Sequence, residues 1–144
     1  MSESPKDKGE MTEAIVLAEL VSAGMTVLTP FGENNRYDFV VEMQGKFHRL
    51  QCKTGRHEGG TVVAEVRSTR PRAGGHSREG YQDDIDHFVI YCWELEQTYL
   101  VPIEDAPKTQ VTLRVEEPAN NQTKRINPAS EYRLEQKISE LEGT

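Results

Sequence analysis

Apolar and polar positions alternate along the chain in a way that predicts one amphipathic helix followed by short strands and polar loops. Residues 10–23 combine good helix formers with apolar side chains at helical spacing, and Gly24 comes next as the expected terminating glycine. The rest of the chain consists mainly of short apolar runs separated by turn residues. Strands are predicted at 25–28, 37–43, 46–54, 61–66, 88–93, 98–103 and 110–115, and a second helix at 131–141.

Two polar segments interrupt this order. Residues 68–80 are rich in Gly, Ser and Arg, and residues 118–128 form a second polar stretch. A loop as long as the first is unusual in a compact domain and is typically functional or disordered. We expect a single folded domain at 9–130, preceded by a flexible tail at 1–8 and followed by a C-terminal helix and tail at 131–144.

The strands on either side of residues 44–45 form a predicted hairpin. Their Gln-Gly sequence is a two-residue connection of the kind that closes β-hairpins. This turn pairs positions whose numbers sum to 89, which places Asp38 opposite Gln51. Because side chains alternate along a strand, Lys53 shares a face with both, whereas Cys52 points the other way.

These residues form a candidate catalytic group together with Glu13. Glu13 shares the apolar side of the first helix with Leu17, where a carboxylate needs a cation or a hydrogen-bond donor. Oxygen ligands from Glu13, Asp38 and Gln51 suit Mg²⁺, which polarises phosphodiesters and acidifies a bound water. Lys53 could orient or deprotonate that water, or neutralise charge in the transition state.

Each residue of this group also has a purely structural explanation. A glutamate in an early helical turn interacts favourably with the helix dipole. An aspartate opposite a glutamine on a hairpin is often a simple cross-strand hydrogen bond, and most lysines are solvated. The catalytic interpretation is favoured because the structural explanation requires four independent coincidences to bring Glu13, Asp38, Gln51 and Lys53 to one site.

In order and spacing these residues resemble the PD-(D/E)XK nuclease superfamily, and more closely its small group I intron-associated, homing-type endonucleases. That group carries a glutamine in the segment that ends in the catalytic lysine, as this chain does. The resemblance extends over about residues 8–103. The matching segments are KGEMTE at 8–13, PFGENNRYD at 30–38, QCKT at 51–54, and Tyr81, Asp84, Asp86, Phe88 and Tyr91.

The resemblance implies an α/β fold with a restriction-endonuclease-like core, a central mixed β-sheet flanked by helices. It implies a DNA endonuclease that uses Mg²⁺, for which Mn²⁺ could substitute. Asp38 and Gln51 would ligate the metal together with the backbone carbonyl of Cys52, Glu13 would act directly or through water, and Lys53 would serve the nucleophile.

Two positions depart from the superfamily pattern. Tyr37 replaces the proline that gives the superfamily its name, which affects backbone shape more than chemistry. Gln51 replaces the usual glutamate, and its neutral amide oxygen should bind Mg²⁺ more weakly.

The charge of the chain at first argues against a nucleic-acid partner. Its 144 residues include 17 Lys and Arg but 24 Asp and Glu, a formal net charge of −7. The distribution changes this picture, because residues 46–80 contain eight basic and three acidic residues, a net charge of +5. One basic region in an acidic protein can direct a polyanion to one place.

Double-stranded DNA is therefore the predicted partner. Polar residues before Asp38 are placed to enter a groove, and arginines near the hairpin and in residues 68–80 could contact phosphates. The DNA-contact candidates are Asn34, Asn35, Arg36, Arg49, Arg56, Arg67, Arg70, Arg72 and Arg78.

Other protein classes are disfavoured by the sequence. No apolar run is long enough to span a membrane, and the polar N-terminus lacks the apolar region of a signal peptide, so a cytoplasmic location is expected. The two cysteines cannot form a four-cysteine zinc site, and no phosphate-binding glycine motif indicates a nucleotide cofactor.

Assembly and target remain open at the level of sequence. Because one such site cuts one strand, double-strand cleavage predicts a homodimer or homotetramer. The same site would serve a site-specific homing-type enzyme or a structure-specific nuclease such as a Holliday junction resolvase. A catalytically silent DNA-binding module is a further alternative, since Gln51 carries no charge.

Overall fold

A computed structural model describes residues 4–32, 34–67, 70–72, 75–77, 83–116 and 127–143. Within these residues one long helix, nine strands and a short C-terminal helix follow one another. The elements are α1 (Pro5–Ser22), β1 (Thr26–Leu28), β2 (Phe39–Met43), β3 (Lys46–Glu58), β4 (Thr61–Glu65), β5 (Arg70–Arg72), β6 (Gly75–Ser77), β7 (His87–Cys92), β8 (Gln97–Pro102), β9 (Gln110–Arg114) and α2 (Leu134–Glu142).

Strand β3 organises the main sheet, which has seven strands. Its first residues pair antiparallel with β2, its middle pairs parallel with β7, and its last residues pair antiparallel with β4. Beyond these neighbours, β1 pairs with β2, β8 with β7 and β9 with β4. The sheet is mixed, which confirms the predicted α/β fold with a central mixed sheet.

The hairpin between β2 and β3 has the predicted turn and register. Gln44 and Gly45 both have positive φ angles, 50° and 78°. The common two-residue hairpin turn with positive φ at both central residues has this conformation. Pairing runs from Met43 with Lys46 to Phe39 with Leu50, so every pair in the ladder sums to 89 as expected.

Both faces of the main sheet are covered by apolar residues. On one face Val16 and Leu20 of α1 and Ile138 of α2 pack against Leu50 and Cys52 of β3. This contact fixes α1 along β3. A second buried cluster is centred on Phe88, Ile90, Val62, Val101 and Leu113. Full burial of side chains of this size contributes about 1.5–3 kcal/mol each relative to exposure.

The N-terminal residues differ from the prediction. Helix α1 begins at Pro5, so residues 5–8, predicted as a flexible tail, are helical. Ser4 caps the helix by accepting a 3.1 Å hydrogen bond from the backbone N–H of Asp7, and proline suits a first helical position.

Other boundaries also differ. Strand β3 continues four residues past Thr54, because β4 supplies a new partner. The predicted loop at 68–80 contains the β5–β6 hairpin, and helix α2 begins at Leu134 after a short 3-10 helix, Ala129–Tyr132. Most of the predicted loop at 118–128 lies outside the described residues. None of the described helices is long and apolar enough to span a membrane.

Candidate active site

Asp38 lies immediately before β2, where the regular pairing with β3 has ended. Its backbone N–H donates to the carbonyl of Leu50 at 2.8 Å, and its carboxylate Oδ2 accepts a 2.8 Å hydrogen bond from the backbone N–H of Cys52. The expected backbone pairing of Asp38 with Gln51 is therefore wrong. The chain leaves the ladder at this point because a side-chain oxygen, rather than the next carbonyl of β2, satisfies the donor of β3.

Glu13 reaches Asp38 from α1. Desolvation, repulsion by the Asp38 carboxylate and a hydrogen bond between the two side chains raise the pKa of Glu13 to about 7. Burial also raises the pKa of Asp38, against the opposing effects of the Cys52 N–H, the hydrogen bond to Glu13 and the Lys53 ammonium. Two carboxyl groups in direct contact favour sharing a proton unless a cation joins them.

Lys53 and Gln51 share the face of β3 opposite Leu50 and Cys52. Leu50 and Cys52 are buried against α1, whereas Gln51 and Lys53, which alternate with them, are half-buried. The Lys53 ammonium acts electrostatically on Asp38 and opposes the rise in its pKa. The structure thus brings Glu13 into contact with Asp38, with the charge of Lys53 acting on Asp38, and strand alternation places Gln51 beside Lys53.

The thiol of Cys52 faces the buried side of this group. Burial, and then the carboxylates of Asp38 and Glu13, raise the pKa of the Cys52 thiol, which keeps it uncharged. A neutral thiol is a poor ligand for a hard cation. Any contribution of Cys52 to a metal site would therefore come from its backbone carbonyl, which stays a prediction.

The donor set of this site fits a hard divalent cation. Within the described part of the chain no group of three or more His, Cys, Asp or Glu side chains could hold a metal ion. Glu13 and Asp38 supply two carboxylates, and Gln51 with the Cys52 carbonyl could add neutral oxygens. Carboxylate, amide and carbonyl oxygens are the ligands such ions accept, and a cation would relieve the repulsion between the two carboxyl groups.

Two of the predicted DNA-contact arginines are held by carboxylates that sequence reasoning did not assign to them. Arg36 lies 3.4 Å from Asp84, with its side chain only 9% exposed. Arg49 donates to both oxygens of Asp86 and to the carbonyl of Asp83. These arginines anchor residues 83–86 beside the site. The signal available in the sequence was the acidic run at 83–86, which follows the basic region at 46–80 and supplies the partners of these two arginines.

The remaining DNA-contact candidates are dispersed. Arg56 pairs with Glu58 at 2.7 Å and with Glu65 at 3.8 Å. Arg67 is exposed at the end of β4, and Asn34 and Asn35 are exposed in the loop before Asp38. The side chains of Arg70 and Arg72 and the whole of Arg78 lie outside the described residues.

Comparison with known proteins identifies the class. The family model described as PD-(D/E)XK endonuclease matches residues 3–135. The chain therefore belongs to the PD-(D/E)XK endonuclease family, which confirms the resemblance, and it is a nuclease of this type.

Among solved structures, the chain is similar to a bacterial homing endonuclease, I-Ssp6803I. The sequence identity is 25%, the TM-score is 0.71, and the match covers 99% of each chain. The restriction-endonuclease-like fold is thereby confirmed. No significant match was found among curated proteins.

Proposed function

We propose that this protein is a Mg²⁺-dependent, site-specific endonuclease of double-stranded DNA. The observation that carries the proposal is the contact between Glu13 and Asp38 beside Lys53, because two carboxyl groups and an ammonium at one site suit metal-assisted hydrolysis. Site specificity is supported by the likeness to a homing endonuclease over the full chain length.

Asp38 and Gln51 are the proposed metal ligands, with the Cys52 carbonyl as a further ligand and Glu13 acting directly or through water. A divalent cation held by these oxygens would supply positive charge to the pentavalent transition state and would lower the pKa of a bound water. Lys53 holds the attacking water and neutralises negative charge as the water oxygen bonds to phosphorus and the bond to the leaving oxygen breaks. Mn²⁺ should replace Mg²⁺.

The DNA surface is proposed to surround this site. Exposed Asn34 and Asn35 precede Asp38 directly, and Arg67 extends the basic region beyond β4. Arg36, Arg49 and Arg56 already have carboxylate partners, so phosphates would compete with these carboxylates for the guanidinium groups. Binding should therefore weaken steeply as salt rises.

Double-strand cleavage requires two sites, so we propose a homodimer or homotetramer, acting in the cytoplasm. Light scattering of the protein on DNA tests the assembly. A monomer that makes efficient double-strand breaks would contradict it.

The function is tested by cleavage of DNA substrates with and without Mg²⁺. Wild-type protein and Lys53→Ala are incubated with linear duplexes that include random sequence, and with a synthetic four-way junction. Lys108→Ala, an exposed lysine in the turn before β9, is the matched control. We expect Mg²⁺-dependent cleavage of particular duplex sites, lost in Lys53→Ala and retained in Lys108→Ala.

Three results would overturn parts of the proposal. Undiminished cleavage by Lys53→Ala would contradict the assigned mechanism. Preferential cleavage of the junction would indicate a structure-specific nuclease rather than a homing-type enzyme. Binding without cleavage in both Mg²⁺ and Mn²⁺ would indicate a silent DNA-binding module.

A further inference from the structure

A hydrogen-bonded group of three side chains joins α1 to the sheet next to the candidate active site. Thr12, which is only 1% exposed, has its Oγ1 2.9 Å from Oγ1 of Thr54. The same Thr12 oxygen accepts a 3.0 Å hydrogen bond from Nε1 of Trp93. A hydroxyl can accept one bond and donate another, so Thr12 can satisfy both partners at once.

Each threonine is the chain neighbour of a site residue. Thr12 precedes Glu13 on α1, and Thr54 follows Lys53 on β3. A bond between the two threonines therefore fixes the separation of the two backbones at the point where Glu13 and Lys53 arise. In a helix each residue advances about 100° around the axis, so holding Thr12 also sets the direction in which Glu13 points.

The fully buried apolar contacts of α1 lie beyond the turn that carries Thr12 and Glu13. Val16 and Leu20, the fully buried apolar residues of the helix, lie one and two turns beyond Thr12. Burial of apolar surface is non-directional, whereas hydrogen bonds weaken steeply when they are misaligned. The hydrogen bonds of Thr12 therefore add a directional constraint to the helix turn that carries Glu13.

Trp93 is itself held in place at the end of β7. Its ring packs edge-on against Tyr91 with centroids 5.4 Å apart, and Tyr91 is the parallel-strand partner of Thr54. Lys8 lies on α1 one turn before Thr12, and its ammonium is 5.6 Å from the centre of the Trp93 ring. The indole N–H thus reaches Thr12 from a fixed position that is independent of the metal ligands.

We propose that Thr12 is a positioning residue for the nuclease site, a role that rests on the proposed function. Through Trp93 and Thr54 it sets the distance and direction of Glu13 relative to Asp38 and Lys53. Correct placement of reacting groups is worth a large rate factor, and a misplacement of about 1 Å can cost about 100-fold.

The test compares four variants. Thr12→Val removes the hydroxyl at nearly constant volume, Thr12→Ser retains it, and Trp93→Phe removes the indole N–H. Thr98→Val is the matched control, since Thr98 is also 1% exposed and its hydroxyl has no hydrogen-bond partner among the described residues.

Mn²⁺ binding to the free protein, followed by electron paramagnetic resonance, is measured beside the single-turnover cleavage rate and the DNA dissociation constant. For Thr12→Val we expect Mn²⁺ affinity and cleavage rate each to fall about 10- to 100-fold with an unchanged DNA dissociation constant. Trp93→Phe should show a smaller loss of the same kind, and Thr12→Ser and Thr98→Val should stay within a factor of about 2 of wild type.

If Thr12→Val bound Mn²⁺ as tightly as the unmodified protein, the inference would be overturned. This outcome does not depend on whether the unmodified protein cleaves DNA. A loss shared equally by Thr98→Val would also overturn it, because the effect would then come from removing any buried hydroxyl. Failure of wild-type cleavage in the presence of normal Mn²⁺ binding would instead count against the proposed function alone.

Discussion

The carboxylate of Asp38 takes the place of a backbone acceptor for Cys52. Continuing the register of β2 and β3 by two positions would pair Cys52 with Tyr37, yet the Cys52 N–H donates to Asp38 Oδ2 at 2.8 Å. This bond holds one carboxylate oxygen at the point where the two strands separate. The same carboxyl group is hydrogen-bonded to the side chain of Glu13 and interacts with the charge of Lys53.

Replacement of Asp38 should separate its structural role from its chemical role. Asp38→Asn keeps an oxygen that accepts from the Cys52 N–H but removes the charge, so cleavage should fall at least about 100-fold without loss of stability. Asp38→Ala should lose cleavage equally and also cost about 1–3 kcal/mol, because a partly buried donor loses its partner. Urea unfolding and cleavage assays check both, and equal stability of the two variants would contradict the structural role.

Glu13 should contribute to the metal-free protein a part of its stability that is lost as pH rises from about 4.5 to 7. Desolvation and then contact with Asp38 raise the pKa of Glu13 to about 7, so over this range the folded state holds a proton that the unfolded state has released. Thermal unfolding in a chelator at several pH values measures the effect. Glu13→Gln should remove this part of the pH dependence, and an unchanged slope in that variant would count against the contact.

Local patterns predicted much of this fold. The Gln44–Gly45 turn fixes the register of β2 and β3. The alternation of side chains along β3 then places Gln51 and Lys53 on one face, as the sequence predicted. The departure at Asp38 could not be predicted, because it depends on a side chain competing with a backbone carbonyl for one N–H.

Long-range contacts were likewise beyond local patterns. The bonds of Arg49 to Asp86 and of Trp93 to Thr12 join residues 37 and 81 positions apart. Two signals were nevertheless present in the sequence: Trp93 is the only tryptophan, and Thr12 lies within the segment at 8–13 that carries the family resemblance. The start of α1 at Pro5 was also encoded, in the cap at Ser4.

Gly55 should not tolerate a larger side chain. It is buried where β3 passes from β7 to β4, and an added Cβ would lie 2.8 Å from Cγ2 of Ile90 and 3.1 Å from Cγ1 of Val62. Because Ile90 is fully buried, it cannot move aside freely, and Gly55→Ala should cost about 1–3 kcal/mol.

The matched variant for Gly55 is Gly9→Ala, on α1, where an added Cβ meets nothing within 4 Å. Alanine in a helix should stabilise by about 0.5–1 kcal/mol relative to glycine. Denaturant unfolding compares the two variants, and a neutral Gly55→Ala would contradict the tight packing at this crossing.

His87 should contribute a loss of stability in mild acid, opposite in sign to the contribution of Glu13. This residue is 7% exposed at the start of β7, and its ring centre lies 5.4 Å from that of His48. Desolvation, and then repulsion from His48, lower the pKa of His87 to about 4, although the carboxylates of Asp86 and Glu104 act in the opposite direction. As pH falls from 6.5 to about 4, the unfolded chain takes up a proton on this histidine that the folded protein excludes, so the contribution of His87 to stability should fall by about 3 kcal/mol.

His87→Phe should abolish this loss, because the ring is buried and Nδ1 of His87 has no hydrogen-bond partner among the described residues. Denaturant unfolding of both proteins at pH values between 7 and about 4 measures the difference. Parallel curves for wild type and His87→Phe would show that another group controls acid stability. Above pH 7 the free energies of unfolding of the two proteins should differ by a constant amount, because phenylalanine buries more apolar surface than a neutral imidazole. The contribution of His87 is measured by the difference between the two slopes of unfolding free energy against pH below pH 6.5.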